Sequence, residues 1–238
     1  MISQLLDFLG SDLAHYWKIA AAVMPALLKG FVETLKLALV GIVWGSLFGG
    51  MLGILRGQYI RIATPLIGAY LHLLRGTPFL VQLYVIYFVL PNTGYSWLQW
   101  DSQTAAFVSL GIYTSSYVTE IVSGAIRAIP RGQWEGAFAL GFTRLKTLRL
   151  IILPQSVGLI LPALGGVYVT LIKATSIVSV VGIVELMRQA DISIVRFPGD
   201  ILYIYFLAGA LYFAFCFPVL MLVGRLEERS KNGRMVRT

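Results

Sequence analysis

The chain has 238 residues, 58% of them hydrophobic and 13% charged, with a formal net charge of +8. Its apolar residues gather into continuous runs long enough for helices that cross a hydrocarbon core, about 20 residues each, which excludes a soluble globular domain. The runs do not alternate apolar with polar in short segments, which excludes an outer-membrane barrel and leaves helices as the way to satisfy the backbone in lipid.

A basic surplus in a soluble chain points to nucleic acid, but here Lys and Arg cluster between the runs and report topology instead. Five membrane-spanning helices are predicted, over residues 31–55, 60–90, 104–126, 150–174 and 201–223. With the N-terminus outside and the C-terminus inside, the inner segments hold twelve of the nineteen Lys and Arg and the outer segments four, the distribution expected when positive charge stays inside. Trp97 and Trp100 then belong to an outer aromatic belt.

Residues 1–29 carry Asp7, lack a basic start and show no small-residue cleavage site, so they are read as an uncleaved N-terminal segment on the outer side. The first span follows, with Gly41, Gly45, Gly49 and Gly53 in steps of four. That spacing puts all four on one helical face, where a neighbouring backbone can approach closely.

The second span contains Arg75-Gly76-Thr77-Pro78 and, a turn later, Gln82. Pro78 lacks a donor and clashes with the carbonyl of Leu74, so the helix should kink or unwind where Gly76 already weakens it. A central Arg costs roughly 2.5–3.5 kcal/mol on insertion scales. Two readings account for Arg75: a structural cation paired with an intramembrane acid, or a contact for a substrate carboxylate beside opened backbone. In the third span Glu120 is the intramembrane acid, and pairing with a cation of a neighbouring helix is its expected role.

Residues 128–150 form a polar, basic interruption on the inner side, the position of a docking element. It carries Glu135-Gly136-Ala137, then Gly141, where a turn between two short helices needs the positive φ that Gly adopts cheaply, and it runs into Ile151-Ile152-Leu153-Pro154. Lys173-Ala174-Thr175-Ser176 closes the fourth span. These groups either line a substrate route or, for Lys173, snorkel to the headgroups. The next apolar stretch, 176–187, is too short to cross and reads as a re-entrant or interfacial helix, a lid over a cavity or an inert surface piece. Cys216, the one cysteine, excludes an internal disulfide and is a packing or lipid-facing residue. Residues 226–238 are a basic tail.

His15 and His72 lie far apart, no nucleotide-binding loop is present and no carboxylates pair on a helix face, so neither catalysis nor ATP hydrolysis is expected, and no metal site. A self-contained ion-coupled secondary amino-acid transporter would use Glu120 for coupling and would need inverted repeats, which are not evident. A structural scaffold for a membrane complex would have no polar cavity.

The Glu135 to Pro154 pattern resembles the coupling motif of the membrane subunits of binding-protein-dependent ABC importers, with Gly136 in place of the usual first alanine. Together with Arg75 to Gln82, Ser116 to Ile126, Pro130 to Ala137 and Lys173 to Ser176, it resembles the permease subunits of polar amino-acid importers, the histidine, glutamine, arginine and opine group. The likeness covers roughly residues 30–225. It implies an all-α polytopic membrane protein, a type I ABC importer transmembrane domain with five transmembrane helices, in the bacterial inner membrane. It implies a second permease subunit of the same or a related chain, an ATP-binding cassette ATPase dimer that holds ATP and Mg, and a periplasmic solute-binding protein. The family's coupling helix then falls on Glu135 to Gly141, and Ile151, Leu153 and Pro154 complete the motif. Some basic-amino-acid permeases carry an acid shortly before the Lys-x-Thr segment, where this chain reads Gly165-Gly166-Val167. The resemblance therefore implies no cation-binding acid in this subunit at that place.

Overall fold

In a computed structural model, residues 2–235 are described, and they are almost wholly helical. The longest elements are α1 (Ile2–Gly57), α4 (Ser102–Arg127), α7 (Leu153–Ala174) and α9 (Ile201–Met235). Between them lie α2 (Ala63–Arg75), α3 (Phe79–Tyr84), α5 (Arg131–Ala139), α6 (Arg144–Thr147) and α8 (Leu186–Arg196). Three apolar stretches are long enough to cross a membrane, Leu13–Gly57, Arg144–Val181 and Pro198–Arg225, and the bent pair Ala63–Arg75 and Phe79–Thr93 makes a fourth. The five predicted segments fall on α1, this bent pair, α4, α7 and α9.

The fifth helix, α4, is long enough to span but too polar to stand out by hydropathy. Ser109, Thr114, Ser115, Ser116, Thr119 and Ser123 are all fully buried in it. Most of these hydroxyls donate to carbonyls of the preceding turn, as in Ser109 to Ala105 at 2.6 Å and Ser116 to Tyr113 at 2.7 Å. Small hydroxyl residues are tolerated here because α4 is enclosed by protein, and they let neighbouring helices come close.

The glycine face of α1 supplies that closeness. A Cβ added at Gly41 would meet Leu110 Cβ at 3.0 Å, one at Gly49 would meet Ser115 O at 2.5 Å, and one at Gly53 would meet Val122 Cβ at 2.6 Å. Gly45 sits equally tight on Thr114, and Gly57 continues the series against Ile126. Both residue series rise together, so α1 and α4 run parallel, and Thr119 Oγ1 donates across the seam to Gly49 O at 3.1 Å.

Upstream of residue 31 the structure departs from the sequence reading, which began the first helix there. α1 extends back to Ile2, and over its stretch before residue 31 Ile19, Val23 and Leu27 share one face and bury it against Leu186, Ala190, Ile204 and Ala208 of α8 and α9. The stretch read as one short helix over 176–187 is also different. A 3₁₀ segment, Thr175–Val181, prolongs α7, the chain turns at Gly182, and α8 begins only at Leu186. Glu185 caps α8, its carboxylate accepting from the Met187 N–H at 3.0 Å and the Arg188 N–H at 2.9 Å. Cys216 is buried beside Ala38, Val169 and Ile172.

Candidate functional site

The break between α2 and α3 turns the chain through 102°. Its chemistry follows from Pro78, which has no N–H to offer the Leu74 carbonyl. Gln82 fills that vacancy: its Nε2 donates to Leu74 O at 2.6 Å, and to Thr77 O and Thr77 Oγ1 at 3.1 Å each. Thr77 Oγ1 in turn donates to Leu73 O at 2.8 Å. A nearly buried amide thus holds an opened helix in one shape, while its Oε1 is left without a partner.

Beside the break lies a cluster of charge. Glu120 Oε2 accepts from Arg56 Nη1 at 2.7 Å and forms an ion pair with Arg75 Nη1 at 3.0 Å. Arg56 Nη1 also reaches Ser123 Oγ at 3.3 Å, and the Arg75 guanidinium lies 5.5 Å from the Tyr117 ring centroid. Two guanidiniums on one carboxylate leave a surplus positive charge. They line a cavity of about 380 Å³ with His72, Gly76 and Tyr117. Arg75 is about two-fifths exposed there, so part of its hydrogen-bonding capacity faces the cavity. A carboxylate is the group best matched to a guanidinium's paired donors.

The structure therefore brings Arg75 and Glu120 together, with Arg75 meeting an intramembrane acid and facing the cavity at once, while Thr77 and Gln82 bond to each other and to the opened helix end beside it and do not line that cavity. Sequence reasoning had counted Arg56 as a mere marker of the inner side. Only the packed register finds it: Gly53 is level with Val122 and Gly57 with Ile126, which puts residue 56 within an arginine's reach of Glu120, a relation no stretch of sequence contains.

The segment after α4 stands at the end of the bundle where α1 and α4 terminate. α5 closes in a Schellman motif, in which Gly141 N–H donates to Phe138 O at 2.9 Å and Phe142 N–H to Ala137 O at 3.0 Å. Gly141 has the φ of +81° that this closure requires, and Thr143 then caps α6. Glu135 and Gly136 are exposed, whereas Ala137 is buried. Ile151 and Leu153, with Trp134, pack on the buried cluster of Val122, Ile126, Leu148 and Ile152. Pro154 is exposed near the start of α7. The pattern thus splits into an anchored side and a presented side.

Lys173, Thr175 and Ser176 lie away from the Arg75 cluster, with no hydrogen bond or ion pair joining the two groups among the described residues. Thr175 is fully buried and its hydroxyl donates to Ile172 O at 2.7 Å. Ser176 donates to Lys173 O at 2.8 Å. Both hydroxyls are spent on the helix end, and only Lys173 is exposed.

Sequence reasoning passed over Glu185. It is fully buried, and besides its capping bonds its carboxylate receives Thr34 Oγ1 at 3.4 Å and the Tyr212 hydroxyl at 3.2 Å. It therefore ties α8 to α1 and α9. The available signal was an acid set between apolar residues in a membrane chain. At the same end Asp101 caps α4, and hydrogen bonds from Thr104 hold its carboxyl below the usual carboxylate range. No group of three or more His, Cys, Asp and Glu suited to a metal occurs among the described residues.

Residues 49–232 match the family described as the binding-protein-dependent transport system inner membrane component. The glutamine transport system permease protein GlnP of Escherichia coli (strain K12) is 33% identical over 215 residues, 90% of this chain and 97% of that protein. The L-cystine transport system permease protein TcyB of Bacillus subtilis (strain 168) is 32% identical, over 86% of each chain. Among solved structures, an amino acid ABC transporter crystallised with histidines superposes with a TM-score of 0.78 at 33% identity, covering 88% of this chain and 96% of the other. The MetNI methionine ABC transporter in an inward-facing conformation shares the fold, with a TM-score of 0.68 at 21% identity over 86% and 98% of the two chains.

Proposed function

This chain belongs to the family of inner-membrane components of binding-protein-dependent transport systems, and on that premise we propose that it is the permease subunit of an ATP-driven importer for a polar amino acid or an opine-like derivative. The amino-acid assignment is supported by relatives that carry glutamine and L-cystine in their names. The observation that carries the coupling role is the α5 segment, anchored through Ala137, Ile151 and Leu153 while Glu135 and Gly136 remain exposed. A short helix fixed rigidly to α4 and α7 transmits a partner's movement to the spans, which a loose loop cannot do.

In this reading the N-terminus is outside, α5 faces the cytoplasm, and the groove of a separate ATPase receives Glu135 to Gly141. ATP and Mg bind that ATPase dimer. A second permease subunit, the same chain or a related one, completes the pathway, and a periplasmic solute-binding protein delivers the substrate. Closure of the ATPase pair drives alternating access, and the substrate shifts that equilibrium only through different contacts in the two states. Arg75 supplies such a contact for the α-carboxylate, with Thr77 and Gln82 fixing the break that presents it. Lys173, with Thr175 and Ser176 behind it, lies nearer the outer entrance of the route, before Arg75.

Reconstitution into liposomes tests the reading, following labelled amino-acid uptake and phosphate release with and without each partner. The chain alone is expected to hydrolyse no ATP and to accumulate nothing. Both activities are expected once the ATPase and binding protein are present. Uptake by the lone chain driven by a proton or sodium gradient would refute the importer and favour the ion-coupled secondary transporter.

A further inference from the structure

We propose that the recess between α5 and the ends of α1 and α4 is a binding site for the phosphate of an anionic membrane lipid. The recess has a volume of about 410 Å³, and Arg127, Arg131 and Arg144 line it with Glu135, Tyr59 and Trp134. Three guanidiniums against one carboxylate leave it strongly positive. None of the three arginines belongs to an ion pair among the described residues, where the pairs all lie elsewhere. Arg127 spends its Nε on Ser123 O at 3.2 Å, and Arg144 donates to Gln58 O. Each guanidinium carries five N–H donors, so most of the donors in this recess remain unspent.

Its wall is formed by a strained residue. Tyr59 has a φ of +54°, the one positive φ at a non-glycine residue among the described residues. A bulky side chain rarely occupies that region, and such outliers persist where surrounding structure enforces them. Here the Tyr59 ring lies 5.5 Å from the Arg127 guanidinium, and both line the recess. Ile60 and Ile62 follow Tyr59 in the chain, Leu140 follows α5 and Leu145 follows Arg144, and all four are exposed.

A free inorganic phosphate would need the cations alone. The exposed apolar residues, the lining aromatics Tyr59 and Trp134, and the position at the termini of two spanning helices fit instead a ligand with a charged head and an apolar body. Aromatic residues gather at headgroup depth, and basic pockets at that depth attract anionic lipid heads. The recess and its membrane setting suffice for such a ligand, whatever substrate is transported.

The test is native mass spectrometry of the full chain released from micelles doped with phosphatidylglycerol or with phosphatidylcholine of the same acyl chains. Retention of phosphatidylglycerol is expected to exceed that of phosphatidylcholine. Replacing Arg127→Gln and Arg144→Gln together should lower the preference by about fivefold for each guanidinium removed. Arg149→Gln, at the same end but outside the recess, should leave it unchanged. Glu135→Gln removes the recess's carboxylate and should raise the preference, a change of the opposite sign that misfolding cannot imitate. Equal retention of the two lipids would overturn the proposal. So would a preference that survives the double substitution, or displacement of the lipid by millimolar inorganic phosphate.

Discussion

Adding one methyl group to the seam between α1 and α4 separates two effects that usually mix. In Gly49→Ala the new Cβ meets Ser115 O at 2.5 Å and Val118 Cβ at 2.8 Å, and the oxygen belongs to a backbone that cannot rotate away. In Gly50→Ala, one residue on, nothing lies within 4 Å of the new atom. Both changes gain the same helix propensity, up to about 1 kcal/mol, so their difference reports the overpacking alone. Relief at residue 49 requires the helices to part by about 0.5–1 Å, a gap that forfeits a quarter to a half of the dispersion well for facing atoms. Overpacked sites of this kind cost about 1–3 kcal/mol. At roughly 2–4 °C per kcal/mol for a chain of this size, Gly49→Ala should melt several degrees below Gly50→Ala. The assay is thermal denaturation of the two purified variants in one detergent, with Gly50→Ala expected at or above the wild type. If Gly49→Ala melts as high as Gly50→Ala, the close-packed parallel seam is wrong.

At Gly141 the φ of +81° costs an L-residue about 1–2 kcal/mol, so Gly141→Val should sharply reduce co-purification with the ATPase while Gly141→Asn retains most of it; equal recovery of both would sink the turn argument. Glu135→Lys should leave the chain inserted and equally abundant, yet lower substrate-stimulated ATP hydrolysis severalfold, because charge complementarity governs such contacts; normal stimulation in proteoliposomes would count against the docking role. Removing a charge-assisted hydrogen bond is worth about 1.5–3 kcal/mol, and the partial exposure of Arg75 puts Arg75→Ala near the low end, about a tenfold loss of transport affinity at unchanged expression and ATPase binding. An unchanged affinity would return Arg75 to a purely structural pairing with Glu120.

Much of this protein is written locally. Continuous apolar runs dictate spanning helices, because lipid offers the backbone no partners. Four glycines at a helical repeat announce a close helix contact without saying with which helix. Pro78 forces a break from Leu74 onward, and the Gly141 spacing forces a left-handed turn, since both depend on the chemistry of a few adjacent atoms. The tertiary structure alone decided the partners. That α4 is the helix facing the glycines, that Arg56 shares Glu120 with Arg75, and that Gln82 replaces the hydrogen bond Pro78 removes are all relations across space. The start of α1 was hidden for the same reason. Lys18 and Lys29 interrupt its hydropathy, and only the docked face of Ile19, Val23 and Leu27 against α8 and α9 explains why the helix continues. Glu185 stands out locally as an acid among apolar residues, but its role does not, for a buried carboxylate is tolerable only when donors from several elements converge on it, and no local stretch of sequence contains that convergence.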